Sequence, residues 1–205
     1  NVHILCYTGF DLFDFIAVDL KTAQHLFCLP EGEFPAEIME TGVCGCEGCR
    51  EGDLKTHNRL ALKREIALIT RFIADQQLRE FVEARSRMEA THVAILRHLD
   101  SYYSFIEQRL PVVRSGRLGA MSGEALKRPE VTRFAGRVLH RYIPPSANVA
   151  VLLPCSARKP YSGSQSHRKF YDAIGGRALE LIVTSPLGLV PRELERIYPA
   201  AHYDI

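Results

Sequence analysis

The segment from Pro154 to Phe170 reads PCSARKPYSGSQSHRKF and holds a thiol, an imidazole, a phenol, four serine hydroxyls and four cations. A hydrophobic core cannot take up that many polar groups without partners, and a plain surface loop has no use for a cysteine. The chemistry such a set offers is nucleophilic. Cys155 supplies the sulfur, and the cations of Arg158 and Lys159 beside it favour a thiolate. His167 is a candidate to take the thiol proton. Tyr161 and Ser164 offer hydroxyl donors for charge that develops on a substrate. Plainer readings stand beside these. Cys155 could be a small buried residue that closes a strand. Lys159, with Arg158, Arg168 and Lys169, could grip nucleic-acid phosphates. For Arg168 and Lys169 a solvated helix face is the simplest account, and His167 could merely cap the helix start.

A second group could hold a metal. Three of the six cysteines fall in CGCEGC, as Cys44, Cys46 and Cys49. Residues that close cannot pair as disulfides without severe strain. Metal binding in a reducing compartment is the better reading. Gly42, Gly45 and Gly48 permit the tight turns that bring three thiolates to one ion. A tetrahedral Zn2+ needs a fourth ligand. His57 is the best placed, with His3 and His25 as alternatives. A closed Cys3His site is structural, because it keeps no position open for water.

These residues need elements to position them. A chain of 205 residues suggests one large domain or two small ones. Its 46% hydrophobic and 24% charged residues are ordinary for a protein with a real core. The net charge of +2 means that any nucleic-acid surface is a local patch. No apolar run is long enough to cross a bilayer, and the first residues lack a basic leader and a cleavage site. The chain has no initiator Met, opens in what reads as a strand from Val2 to Tyr7, and stops at Tyr203-Asp204-Ile205 without a closing element. It therefore reads as an internal fragment.

A short helix is expected within 19–27. Over 57–109, Leu60, Leu62, Ile66, Ile69 and Ile73, and then later apolar residues, recur at helical spacing. Two or three amphipathic helices are expected there. The polar, glycine-bearing stretch 111–129 reads as a linker, giving domains 1–115 and 116–205. A helix should run from Pro129 to about Tyr142. NVAVLL, residues 148–153, reads as a strand buried on both faces. A helix over 166–174 and a second buried strand over 179–184 follow, ending in SPLGLVPRELE. That order implies an α/β layer with a parallel sheet, whose ligands gather at the carboxyl ends of the strands. Both unusual loops fall there. No nucleotide-binding loop is present to support an ATP requirement.

Gly9-Phe10-Asp11-Leu12-Phe13-Asp14, the Cys-x-Cys-x-x-Cys knuckle and Thr56-His57-Asn58 together resemble the C-terminal part of an archaeal tRNA-guanine transglycosylase barrel. That likeness runs over residues 1 to about 110, and it implies a structural zinc on the knuckle and a downstream histidine. The spacing from Cys49 to His57 is shorter than is usual there. The pattern Pro-Cys-x-x-x-Lys-Pro-Tyr-x-x-Ser-x-x-His, on Pro154, Cys155, Lys159, Pro160, Tyr161, Ser164 and His167, is similar to the signature of archaeosine synthases, paralogues of the transglycosylases. SPLGLVPRELE and YPAAHYDI resemble the same family.

The resemblance implies the zinc-bearing end of a TIM-type barrel with helices, followed by an α/β synthase core that is incomplete at its C-terminus. It implies a cytoplasmic enzyme acting on tRNA. Free lysine would add through its ε-amino group to the nitrile of 7-cyano-7-deazaguanine in the D-loop, forming an amidine. A radical S-adenosylmethionine enzyme would be a partner. A homo-oligomer is compatible with this reading. On a nitrile, Cys155 would form a thioimidate that the amine displaces. His167 would act as base and Tyr161 or Ser164 would donate to the imidate nitrogen. Asp14 stands where transglycosylases place their nucleophile and reads as an inherited position. Base exchange and a non-catalytic tRNA-binding subunit are the alternative functions.

Overall fold

A computed structural model describes residues 1–204, and the chain divides into two compact units, Asn1–Leu96 and Arg97–Ile205. The first unit is helical. Helices α1 (Val2–Thr8) and α2 (Ile16–Ala23) precede a hairpin of β1 (Leu26–Leu29) and β2 (Gly32–Pro35). A short helix α3 (Glu47–Glu51) carries part of the knuckle, and the long α4 (Leu54–Ala74) follows. Helix α5 (Leu78–Ser86) comes next, and α6 (Ala90–Asp100) runs through the division after Leu96. A TIM-type barrel is not seen among the described residues. The only strands of this unit are the two of the antiparallel hairpin.

The stretch expected as an opening strand is α1. A short apolar run does not declare its own period. Here His3, Ile4 and Tyr7 are buried on one helical face, and Gly9 closes the helix in the left-handed conformation. Asp53 starts α4 by accepting from the backbone N–H groups of Lys55 and Thr56 at 3.0 and 3.1 Å. One turn later the fully buried Asn58 ties α4 to the hairpin. Its amide donates to Thr22 Oγ1 and to the Leu26 carbonyl, each at 2.9 Å, and its Oδ1 accepts from Cys28 N–H at 2.8 Å.

The second unit contains α7 (Tyr103–Glu107), β3 (Leu118–Gly119) and α8 (Pro129–Arg141). It continues through β4 (Ala150–Pro154), α9 (Gln165–Ile174), β5 (Leu179–Thr184), β6 (Gly188–Pro191) and β7 (Tyr203–Asp204). The stretch 57–109 therefore forms four helices, the last of a single turn. The polar stretch 111–129 lies inside the second unit, where it buries Leu118 and Arg128. The sheet is mixed: β4 pairs with β5 in parallel, and β5 with β6 antiparallel. Strand β3 pairs in parallel with β7.

Register sets the core. Leu153, Ile182 and Val190 fall in one cross-strand row and are buried. Leu152, Val183 and Leu189 point to the other face and are exposed. The expectation that β4 is buried on both faces is thus corrected, because no described element covers the second face. Pro129 begins α8 as expected of proline at a first turn.

Asn58→Ala should leave the Cys28 N–H and the Leu26 carbonyl short of partners inside the first unit. Each unpaired buried group costs about 1–3 kcal/mol. Urea denaturation should record a loss of that order, and Asn58→Asp should not restore it, because a carboxylate cannot donate to the Leu26 carbonyl.

Candidate functional site

The knuckle and α4 build a metal-ligand cluster. One donor atom each from Cys44, Cys46, Cys49 and His57 lies within 4.8 Å of every other. The Cys46 and Cys49 sulfurs are 3.6 Å apart, and each is 3.3 Å from His57 Nδ1. A tetrahedral ion about 2.3 Å from each sulfur would set sulfur–sulfur edges of about 3.8 Å, so the donors already stand near the corners. The histidine tautomer fits too. His57 Nε2–H donates to the Cys28 carbonyl at 3.0 Å, which leaves the Nδ1 lone pair facing the thiols. The ring stacks on buried Phe27 with centroids 3.6 Å apart. Gly48 permits the close approach: a Cβ there would lie 2.3 Å from His57 N and 2.7 Å from Asp53 O. His3 and His25 are not in the cluster. Burial pushes the Cys49 thiol up to about 12, and the neighbouring sulfurs add to it. A bound cation would favour the Cys49 thiolate that burial opposes.

In the second unit the chemistry follows β4. Cys155 comes directly after the strand and is exposed, which removes the reading of a buried residue closing a strand. The loop is pinned on both sides. His167 Nε2–H donates to the Pro154 carbonyl at 2.9 Å, and Ser162 N–H donates to Glu195 Oε2 at 2.9 Å. Arg192 joins these anchors. It donates to His167 Nδ1 at 2.8 Å, pairs with Glu195 at 2.9 Å, and pairs with Glu180 of β5 at 2.6 Å. Both ring nitrogens of buried His167 are therefore engaged. No lone pair is left for the base role expected from the sequence. Burial first, and then the Arg192 charge, push its pKa down, so the ring is neutral.

Lys159 lies inward of the loop, its ammonium 4.0 Å from the centroid of the Tyr203 ring. Burial lowers its pKa, while Asp204 and Cys155 pull it back up. The Tyr203 hydroxyl is hydrogen-bonded to those of Tyr161 and Thr184, all three residues being buried. Burial raises the Tyr161 and Tyr203 pKa values, and charge on Cys155 adds to both. The sulfur is thus electrostatically coupled to Lys159, Tyr161 and Tyr203.

Ser164 is an N-cap: its hydroxyl accepts from His167 N–H at 3.2 Å, at the start of α9. Arg168 and Lys169 are exposed on α9, and Arg158 is exposed with its side chain against Gly163. Asp14 is exposed in the first unit, where its Oδ1 accepts from Ile16 N–H at 2.9 Å, just ahead of α2. Sequence reasoning missed Tyr203, Thr184 and Arg192. They lie 42, 19 and 25 residues from partners that only the fold brings to them.

The chain that carries this loop and this cluster is similar in sequence to proteins named for tRNA modification. Residues 131–205 match a family described as a domain of unknown function (DUF5591). The chain is 43% identical to an archaeosine synthase of Haloferax volcanii and 42% identical to an archaeosine synthase subunit alpha of Methanosarcina acetivorans. Each alignment takes in 100% of this chain and 36% of the relative. A tRNA-guanine(15) transglycosylase of Methanosarcina barkeri is 30% identical over 93% of this chain and 38% of its own length. By these matches the chain is a relative of archaeosine synthases from end to end, and it spans about a third of their length. The transglycosylase likeness is not confined to residues 1–110, as the sequence reading had it. Among the described residues no helix is long and apolar enough to cross a membrane.

Two outcomes follow from this geometry. Elemental analysis should find about one metal ion per chain. Gly48→Ala should abolish it, because the added Cβ cannot share space with the start of α4. The second concerns pH. Folding holds His167 neutral, whereas the unfolded chain protonates it near 6.5. The unfolded state then binds more protons below that value, and stability falls as pH drops. The limit is about 1.4 kcal/mol per pH unit per group. Urea midpoints between pH 7 and 5 should show this slope, and His167→Gln, which can keep one donor and one acceptor, should flatten it.

Proposed function

We propose that the chain carries an amine-addition step on tRNA, in which lysine adds to the nitrile of 7-cyano-7-deazaguanine, with Zn2+ as the ion of the Cys3His cluster. The observation that supports this most is the exposed Cys155 at the end of β4, coupled to a Lys159 ammonium held on the Tyr203 ring. A phosphate-gripping loop gives no reason for an exposed thiol or for a buried hydroxyl chain behind its cation.

Cys155 Sγ adds to the nitrile carbon. A carbon–sulfur bond forms as one π bond of the nitrile breaks. The sulfur attacks as the thiolate that the Lys159 ammonium favours, and that ammonium gives its proton to the nitrile nitrogen, giving a thioimidate. Burial, which disfavours its ammonium form, suits Lys159 to give up that proton. The amine of free lysine then attacks the same carbon, the carbon–sulfur bond breaks, and the amine's proton passes to Lys159. The sum is an amidine and a regenerated thiolate and ammonium, with no change of oxidation state. His167 positions the loop through the Pro154 carbonyl, and Tyr161 positions the Tyr203 ring. A radical S-adenosylmethionine partner in the cytoplasm would act on the adduct.

The test uses the intact protein with nitrile-bearing tRNA and lysine, and mass spectrometry of the nucleoside. Cys155→Ser should lose adduct formation, and Lys159→Gln should slow it about 100-fold or more. Wild-type turnover by Cys155→Ser would remove the covalent mechanism. Incorporation of labelled guanine into unmodified tRNA, with no lysine adduct, would favour base exchange instead.

A further inference from the structure

Helix α8 carries a surface that the Cys155 loop does not use. Arg133, Arg137 and Arg141 are spaced four residues apart, so they form one stripe along the helix. Arg133 donates to Glu107 of α7 at 2.9 Å. Arg137 and Arg141 are exposed and form no salt bridge among the described residues. Like charges at this spacing destabilise a helix. The helix dipole favours cations in the last turn, which accounts for Arg141 and not for Arg137.

A second observation lies on the same helix. Gly136 sits in the interior of α8, where glycine is among the least favourable residues. Its backbone is ordinary helix, and a Cβ added there would meet open space. Neither conformation nor packing within the chain therefore asks for a glycine. Gly136 and the three arginines line a groove of about 530 Å3 between α7 and α8, with Tyr103 and Glu107 on the α7 side. The missing side chain leaves part of the α8 wall bare.

Charge and shape together select the occupant. The stripe calls for an anion, and guanidinium groups suit phosphate and carboxylate alike. The bare wall separates the two. An acidic peptide carries its charges at the ends of side chains, which reach exposed arginines while the peptide backbone stays clear of α8. A nucleic-acid strand carries its charges on the backbone itself. That backbone must lie against the helix for its phosphates to meet the arginines, and a glycine permits the close approach. The spacing agrees. Four residues of helix advance about 6 Å, which is the order of the separation between successive phosphates of one strand.

We propose that the α7–α8 groove is an RNA backbone site, which seats one strand against Gly136 with successive phosphates on Arg137 and Arg141. It shares no lining residue with the Cys155 loop, and it rests on the tRNA reading only for the source of the RNA.

Binding is measured by fluorescence anisotropy with intact Cys155→Ala protein, so that turnover plays no part. The probe is a fluorescein-labelled uridine oligomer. Arg137→Ala/Arg141→Ala should reduce the slope of log K against log salt by about 1.4, at about 0.7 per phosphate contact on a single strand. Arg137→Lys/Arg141→Lys should keep most of the slope, because the charges remain. Gly136→Leu should weaken binding about tenfold, on the scale of overpacking a filled site. Its melting temperature should hold or rise, because leucine is the better helix former. A probe that does not bind, or a salt slope that the double alanine variant leaves unchanged, would overturn the proposal. So would a Gly136→Leu protein that loses melting temperature and keeps its affinity, since that marks a structural glycine. Competition by an oligoglutamate peptide that equals an unlabelled uridine oligomer's would overturn it in favour of an acidic protein partner. Failure of lysine addition in the wild-type protein leaves these readouts intact.

Discussion

Arg192 is the interaction on which the second unit's chemistry depends. Its guanidinium meets Glu180 on β5, Glu195 beyond β6 and the neutral ring of His167 on α9. One part-buried cation against two buried carboxylates holds only as a set, because removing the cation strands both carboxylates away from water. The consequence is positional. Glu195 reaches on to the Ser162 amide, and His167 reaches on to the Pro154 carbonyl. The loop between those two points is fixed at both ends, with Cys155 exposed near one of them. A nucleophile needs that combination of access and a fixed bearing.

The first unit uses the same device with neutral groups. Asn58 and His57 are consecutive residues on α4, and both reach back to the hairpin. One satisfies its backbone groups, and the other accepts its orientation from the Cys28 carbonyl. The knuckle then needs only Gly48 to come close enough. The cluster is therefore shaped by hydrogen bonds and stacking around the donors, and the proposed zinc would lock a geometry that α4 and the hairpin already define.

Local signals were legible and long-range ones were not. The cysteine knuckle, His57, the proline start of α8 and the limits of β5 could be read from spacing and turn residues, because each depends on neighbours within a few positions. Val2–Thr8 could not, since so short an apolar run fits either period and burial on one face selected the helix. The open face of β4 was equally hidden: an apolar run does not say what will cover it. The site shows the same division. The loop itself drew notice by composition, but its working parts did not sort by type. His167 looks like a base and is a strut, with both nitrogens occupied. Ser164 looks like a donor and is a helix cap. Tyr203, which carries the Lys159 ammonium, arrives through the pairing of β7 with β3 and has no local mark.

The central claim is that Cys155 bonds to the substrate carbon. The most direct measurement is peptide mass spectrometry of the intact protein after incubation with nitrile-bearing tRNA in the absence of lysine, followed by nuclease digestion. The account predicts a nucleoside adduct on the peptide containing Cys155, which disappears when lysine is added. An unmodified Cys155 peptide, in protein that forms the lysine adduct at full rate once lysine is supplied, would contradict it.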